Sequence, residues 1–182
     1  ASCLSFNGST AYVTILHSSS LNLGAVDSSY TVEAWIKTSD TTGSNKNILN
    51  KWNANIPPTD TYPFYLEMFE NKIKFTAPRT PSAAPTVNPA KSVNDGNWHH
   101  IVGVTDRNKK LTSVYIDGKL EGSALHTAVA SETVANTADV AIGAYYDGTP
   151  TQFWNGTIDE VRIYSRALTD YEVWEHYARE VS

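Results

Sequence analysis

Short runs of alternating apolar and polar residues, broken by turn dipeptides, fill the chain. Residues 29–37 read Ser-Tyr-Thr-Val-Glu-Ala-Trp-Ile-Lys. Successive side chains of a strand point to opposite faces. Tyr30, Val32, Ala34 and Ile36 therefore share one face, and Thr31, Glu33, Trp35 and Lys37 the other. The same period predicts strands over residues 3–6, 11–16, 48–52, 64–69, 72–76, 98–105, 110–116, 119–122, 139–144 and 157–164. Asn7-Gly8, Glu70-Asn71 and Asp117-Gly118 fall between such runs as turns. Asp117-Gly118 is the strongest hairpin signal, because both residues tolerate the positive φ of a two-residue turn. Residues 39–47, 78–89 and 126–137 read as loops, and the proline content of 78–89 bars an interior strand.

One helix is expected near the end. Thr169 can cap it, with Glu172 three residues on as the partner of a capping box. Val173, Trp174 and Tyr177 lie at helical spacing for docking. Strands of one style flank every loop, so a single domain over residues 1–182 is expected.

Composition narrows the function classes. The 182 residues carry a formal net charge of −5 and no basic run, which argues against a nucleic-acid surface. No apolar stretch reaches the length of a membrane span. Ten Tyr and five Trp against one Met suit pleated, half-buried surfaces. The single cysteine, Cys3, cannot form an internal disulfide and is expected to be a small buried apolar residue. The sequons at Asn7 and Asn155 sit beside glycines, where a turn is the simpler explanation.

The stretch from Trp154 to Tyr164 holds the most informative chemistry. Unbroken alternation puts Asp159 on the face of Val161 and Ile163, hence in the core. A buried carboxylate needs hydrogen bonds, a protein cation or a metal ion. Ca²⁺ takes several oxygens, and the Asn7 side chain and backbone carbonyls of residues 24–29 are candidate donors. The alternative is an Asp159 satisfied by backbone N–H groups alone.

These residues carry a wider pattern. Leu4-Ser5-Phe6-Asn7-Gly8, Tyr30-Thr31-Val32-Glu33-Ala34-Trp35-Ile36, Gly96-Asn97-Trp98-His99-His100-Ile101-Val102, Tyr115-Ile116-Asp117-Gly118-Lys119 and the run from Asn155 to Thr169 occur in order. The chain resembles the laminin-G-like, concanavalin-type jelly-roll family in its bacterial form. The resemblance implies an all-β fold, an antiparallel two-sheet sandwich of jelly-roll topology, closed by the short C-terminal helix. It also implies a structural Ca²⁺, with Asp159 at a ligand position and Asn7 where many relatives have Asp. Trp35, Trp98 and Trp154 match core positions.

Related sandwiches include glycoside hydrolases, which need two carboxylates flanking the scissile bond. Glu67 and Glu70 differ by three and Asp159-Glu160 are adjacent, so neither pair shares a strand face. His17, His126 and His176 are scattered and no nucleophile elbow is present. A non-catalytic module is expected. Sugar recognition requires exposed aromatic faces with polar groups to orient the ring. Trp52, Tyr62, Tyr145, Tyr146 and Asp147 are the candidates for one such site, with Trp52 ahead of Asn53-Ala54-Asn55 and Tyr65 beyond Pro63. The expected role is a carbohydrate-binding or adhesive module of a larger secreted or surface protein, extracellular and monomeric as an isolated domain. Its partner would be a glycan or a surface protein. The competing readings are a protein–protein recognition domain and a spacer without a ligand.

Overall fold

The computed structural model describes residues 3–23, 28–52, 62–77, 84–126 and 135–181. The strands are β1 (Leu4–Asn7), β2 (Val13–Ile15), β3 (Tyr30–Lys37), β4 (Lys46–Asn50), β5 (Tyr65–Phe69), β6 (Lys72–Thr76) and β7 (Thr86–Val87). They continue with β8 (Trp98–Asp106), β9 (Leu111–Ile116), β10 (Lys119–Leu125), β11 (Val140–Ile142), β12 (Tyr145–Tyr146), β13 (Pro150–Thr151) and β14 (Asn155–Tyr164). One helix, α1 (Asp170–Glu180), follows.

Two six-stranded sheets form, in the orders β1-β14-β3-β8-β9-β10 and β2-β11-β4-β5-β6-β7. All pairings are antiparallel, and the arrangement is the jelly-roll sandwich. The crossovers β1–β14 and β14–β3 join the ends of the chain through the first sheet. A small hairpin, β12–β13, stands apart.

Alternation builds the core. Tyr30, Val32, Ala34 and Ile36 of β3 meet Leu66 and Met68 of β5, Ile73 and Phe75 of β6 and Trp154 in one buried cluster. Each fully buried side chain of this size contributes about 1.5–3 kcal/mol relative to exposure. The sheets approach closely at Gly103, where an added Cβ would lie 2.6 Å from the Phe75 ring. Asp117 and Gly118 have φ of 54° and 74°, as the hairpin between β9 and β10 requires. The segment 78–89 contributes β7 at the edge of the second sheet, the place its composition allows.

The outer face of the first sheet is covered by α1. Thr169 accepts from the Glu172 N–H while the Glu172 carboxylate accepts from the Thr169 N–H, completing the capping box. Val173 joins Leu168 in a second apolar cluster with Val102, Val104 and Tyr115. Tyr177 stacks on Trp35 at 5.8 Å. Trp174 does not dock: it is 52% exposed and stacks loosely on Tyr171, because Val173 and Tyr177 already occupy the facing stripe.

Cys3 is exposed at the sheet edge rather than buried. Trp98, expected in the core, is 38% exposed because it starts β8 on the outer face. Trp35 is buried, but beneath α1 rather than between the sheets.

Asp159 requires the largest correction. Ile158 faces the core, so Asp159 points outward. A β-bulge between Asp159 and Arg162, with Glu160 at φ 48°, then shifts the phase by one residue. Val161 and Ile163 turn inward again, and Asp159 is left half-buried on the outer face. Its Oδ1 accepts the Glu160 N–H at 2.9 Å.

Candidate functional site

The outer face of the second sheet carries the aromatic side chains that strand geometry brings together. Tyr65 lies on β5, where Leu66 and Met68 point into the core and Tyr65 and Glu67 point out. Trp52 follows β4, Tyr62 precedes β5, and Tyr145 opens β12. Their ring centroids are close: Trp52–Tyr145 at 5.0 Å, Trp52–Tyr62 at 5.4 Å, Tyr65–Tyr145 at 5.8 Å and Tyr62–Tyr65 at 6.2 Å. All four residues are half-buried, so the rings lean on one another and keep part of their faces accessible.

The hairpin of β12 and β13 holds this group in place. The Asn47 N–H of β4 donates to the Gln152 carbonyl at 2.8 Å, and the Tyr65 hydroxyl donates to Gln152 Oε1. Beneath the rings lie amides. Asn50 Nδ2 donates to Asn47 Oδ1 at 2.9 Å and to the Ala144 carbonyl at 2.8 Å. Glu67, fully buried, pairs with Lys74 at 2.9 Å and accepts from Asn45 at 3.1 Å. The Trp52 indole N–H and Asn50 Oδ1 are buried without a partner among the described residues.

The electrostatics follow from this packing. Burial pushes the Tyr65 phenol up, and the nearby Glu67 charge adds to the effect. Burial and the Asp147 carboxylate raise Tyr145 likewise. Both phenols therefore stay neutral donors across the physiological range. Next to Trp52, Lys51 is fully buried: its ammonium donates to the Ala138 carbonyl and lies 3.2 Å from His17 Nδ1. Burial, partly offset by Asp139, lowers its pKa to about 8. This anchoring fixes the backbone from which Trp52 projects.

Of the residues expected here, Trp52, Tyr62 and Tyr145 converge, and Asp147 stands beside Tyr145. Tyr146 does not join them. It is the strand neighbour of Tyr145, so its ring points the other way and stacks on Tyr12 at 5.8 Å. Tyr65, noted beside Pro63 but left out of the expected site, and Gln152, not expected at all, belong to the group. The period-2 pattern of residues 64–69 contains the signal for Tyr65. Residues 53–55, next to Trp52, lie outside the described residues.

The expected calcium ligands do not form one site. Asn7 Oδ1 accepts three backbone N–H groups, from Ser9, Thr10 and Ala11, at 2.9–3.1 Å, so it closes the turn. Asn7 pairs with Asn155, four residues along β14 from Asp159. At about 3.3 Å per residue that is about 13 Å, too far for a shared ion. Residues 24–27, proposed as carbonyl donors, lie outside the described residues.

The outer face of the first sheet holds a different arrangement around Glu33, which is 0% exposed. Arg162 Nη1 and the Tyr164 hydroxyl each donate to Oε1 at 3.1 Å, and His176 Nδ1 from α1 donates to Oε2 at 3.0 Å. His100 Nε2 stands 3.7 Å from Oε2, beyond a direct hydrogen bond. Burial alone would raise this carboxyl. The imidazole of His100 and the bonds from His176 and Arg162 outweigh it and hold the pKa at about 2. The buried carboxylate of this sheet's outer face is thus Glu33 rather than Asp159. Its partners Arg162 and His176 lie 129 and 143 residues away in sequence.

Comparison with known proteins gives the following. Residues 7–174 match the family model described as the concanavalin A-like lectin/glucanases superfamily, laminin-G type. No curated protein matches the sequence significantly. Among solved structures, the binding domain of botulinum neurotoxin serotype G superposes with a TM-score of 0.76 at 16% identity, over 98% of this chain and 42% of that one. The chain thus spans less than half of that toxin domain. A heptameric SAP-like pentraxin from Limulus polyphemus gives 0.70 at 19% identity, covering 93% and 78% of the two chains. A Ruminococcus gnavus sialidase CBM40 gives 0.68 at 16% identity, covering 92% and 97%.

Proposed function

We propose, for a chain that belongs to the concanavalin A-like lectin/glucanase superfamily, that it is a non-catalytic carbohydrate-binding module acting outside the cell. One observation carries this reading: Trp52, Tyr62, Tyr65 and Tyr145 converge within 5.0–6.2 Å above buried amides. Ring faces stack on the C–H surfaces of a sugar, and amides and neutral phenols orient its hydroxyls. A solved neighbour supports the reading: the Ruminococcus gnavus sialidase CBM40 has been seen bound to α2,3-sialyllactose. Glu67 is tied to Lys74 and Asn45, so it serves as a structural carboxylate under the rings in this account.

The test is a glycan array followed by titration of the best oligosaccharide against wild type and Tyr145→Ala. Loss of at least about fivefold in affinity, with the melting transition retained, is expected for removal of a stacking ring. Equal affinity for the two proteins would remove the site from consideration. A second reading, recognition of a protein partner, draws on Tyr171 and Trp174, which are 67% and 52% exposed on α1.

A further inference from the structure

A cavity lies on the outer face of the first sheet, away from the aromatic group above. The register aligns Asp159 of β14, Trp35 of β3 and His100 of β8 in one transverse row. The His100 carbonyl accepts the Asp117 N–H at 2.8 Å, which extends the row to the β9–β10 turn. Helix α1 covers the middle of this row with Tyr177, stacked over Trp35 and His100. Beside the helix the row is left open as a cavity of roughly 560 Å³.

Besides Cys3 and Val181, two kinds of group line this cavity. Trp35, Trp98 and Tyr177 present aromatic rings. Asp117, Asp159, Glu160 and Glu180 present carboxylates, while no lysine or arginine lines it. Cations behind the wall offset part of the charge. Lys91 and His99 hold Asp117 at 2.8 and 2.9 Å, and Arg162 binds Glu160 and lies 3.7 Å from Glu180. Asp159 has no ion pair among the described residues and accepts only the Glu160 N–H. The Trp35 indole N–H is buried and without a partner among the described residues, in a residue only 7% exposed.

We propose that this cavity binds an organic ammonium ion, with its alkyl shell against Trp98, Trp35 and Tyr177 and its charge facing Asp159. The negative faces of aromatic rings attract a cation, and desolvation by the cavity walls strengthens that attraction. A divalent metal ion fits poorly, because it takes six or more oxygens and the carboxylate oxygens here are divided among separate partners. A neutral sugar fits poorly too, since four carboxylates and no lining amide face the space. An ammonium group matches both the rings and the charge.

The probe is choline, titrated into ¹⁵N-labelled protein while the two indole N–H resonances of Trp35 and Trp98 are followed. Its neutral isostere 3,3-dimethylbutan-1-ol has the same shape without the charge. Saturable choline shifts at both indoles are expected, with the neutral alcohol at least about tenfold weaker. Trp98→Ala and Asp159→Asn should each weaken choline about three- to tenfold, while Trp52→Ala leaves it unchanged. Both substituted positions are solvent-accessible, so retained melting transitions will show that the variants are folded. Equal binding of choline and the alcohol, an unchanged affinity in Trp98→Ala, or absence of indole shifts up to about 100 mM choline would overturn the proposal.

Discussion

The two outer faces of the sandwich differ in what happens to their polar groups. On the first sheet, Glu33 is covered by α1, and Arg162, His176 and Tyr164 surround its carboxylate. On the second sheet, no helix intervenes among the described residues and four rings stay half-exposed. A covered face whose charge is met from within holds the fold together. An open face with accessible rings is available for a ligand. The same sheet geometry thus buries a charge beneath the helix on one side and presents rings to an oligosaccharide on the other.

The sharpest way to break this contrast is Glu33→Gln. Removing the charge leaves Arg162 and His176 facing a neutral amide in a dry site, a change that costs about 3 kcal/mol. For a chain of this length the melting temperature should fall by roughly 6–12 °C. Oligosaccharide affinity should stay unchanged, because the aromatic group lies on the other sheet. A fall in affinity as large as the fall in stability would erase the distinction.

Acid sharpens the same point. The Glu33 pKa is about 2 in the folded protein, against 4.5 for an unperturbed glutamate. A depressed carboxyl stabilises the fold above its unfolded pKa and loses that contribution as pH falls through the folded value. The stability gap between wild type and Glu33→Gln should therefore be full above about pH 4.5 and close toward pH 2, as read by denaturant unfolding at each pH. A gap independent of pH would show that the charge is not the source.

Smaller effects are expected on the open face. Trp52→Ala should lower oligosaccharide affinity by at least about tenfold, or about 1.4 kcal/mol, in calorimetric titration. Its stability loss should be smaller than that of Glu33→Gln, since Trp52 is half-buried and outside the core cluster. The smallest effect belongs to Trp174→Ala. That ring is exposed, so its melting temperature should match wild type to within about 0.5 kcal/mol of stability.

Much of the architecture was legible in the chain because local rules sufficed. The alternation of Tyr30 to Lys37, the Asp117-Gly118 turn and the Thr169–Glu172 capping box each act within a few residues. The phase of β14 was not legible. A single residue at positive φ, Glu160, breaks the alternation and exchanges the faces of Asp159 and its neighbours. No local pattern announces a bulge there. Nor does sequence bring Glu33 to Arg162 and His176, which meet only through the closing of the first sheet and the docking of α1. On the open face, Trp52, Tyr62 and Tyr145 could be named as loop and strand-end aromatics, yet Tyr146 was carried with its neighbour. Strict two-residue periodicity separates them and would have put Tyr65 in its place.

The central claim is that the second sheet's open face, and not the helix-covered face, recognises the oligosaccharide. Chemical-shift mapping of the amide resonances with a bound oligosaccharide tests it most directly. The account predicts shifts concentrated in residues 47–52, 62–67 and 145–152. Shifts concentrated instead along α1 and the strands beneath it would contradict it.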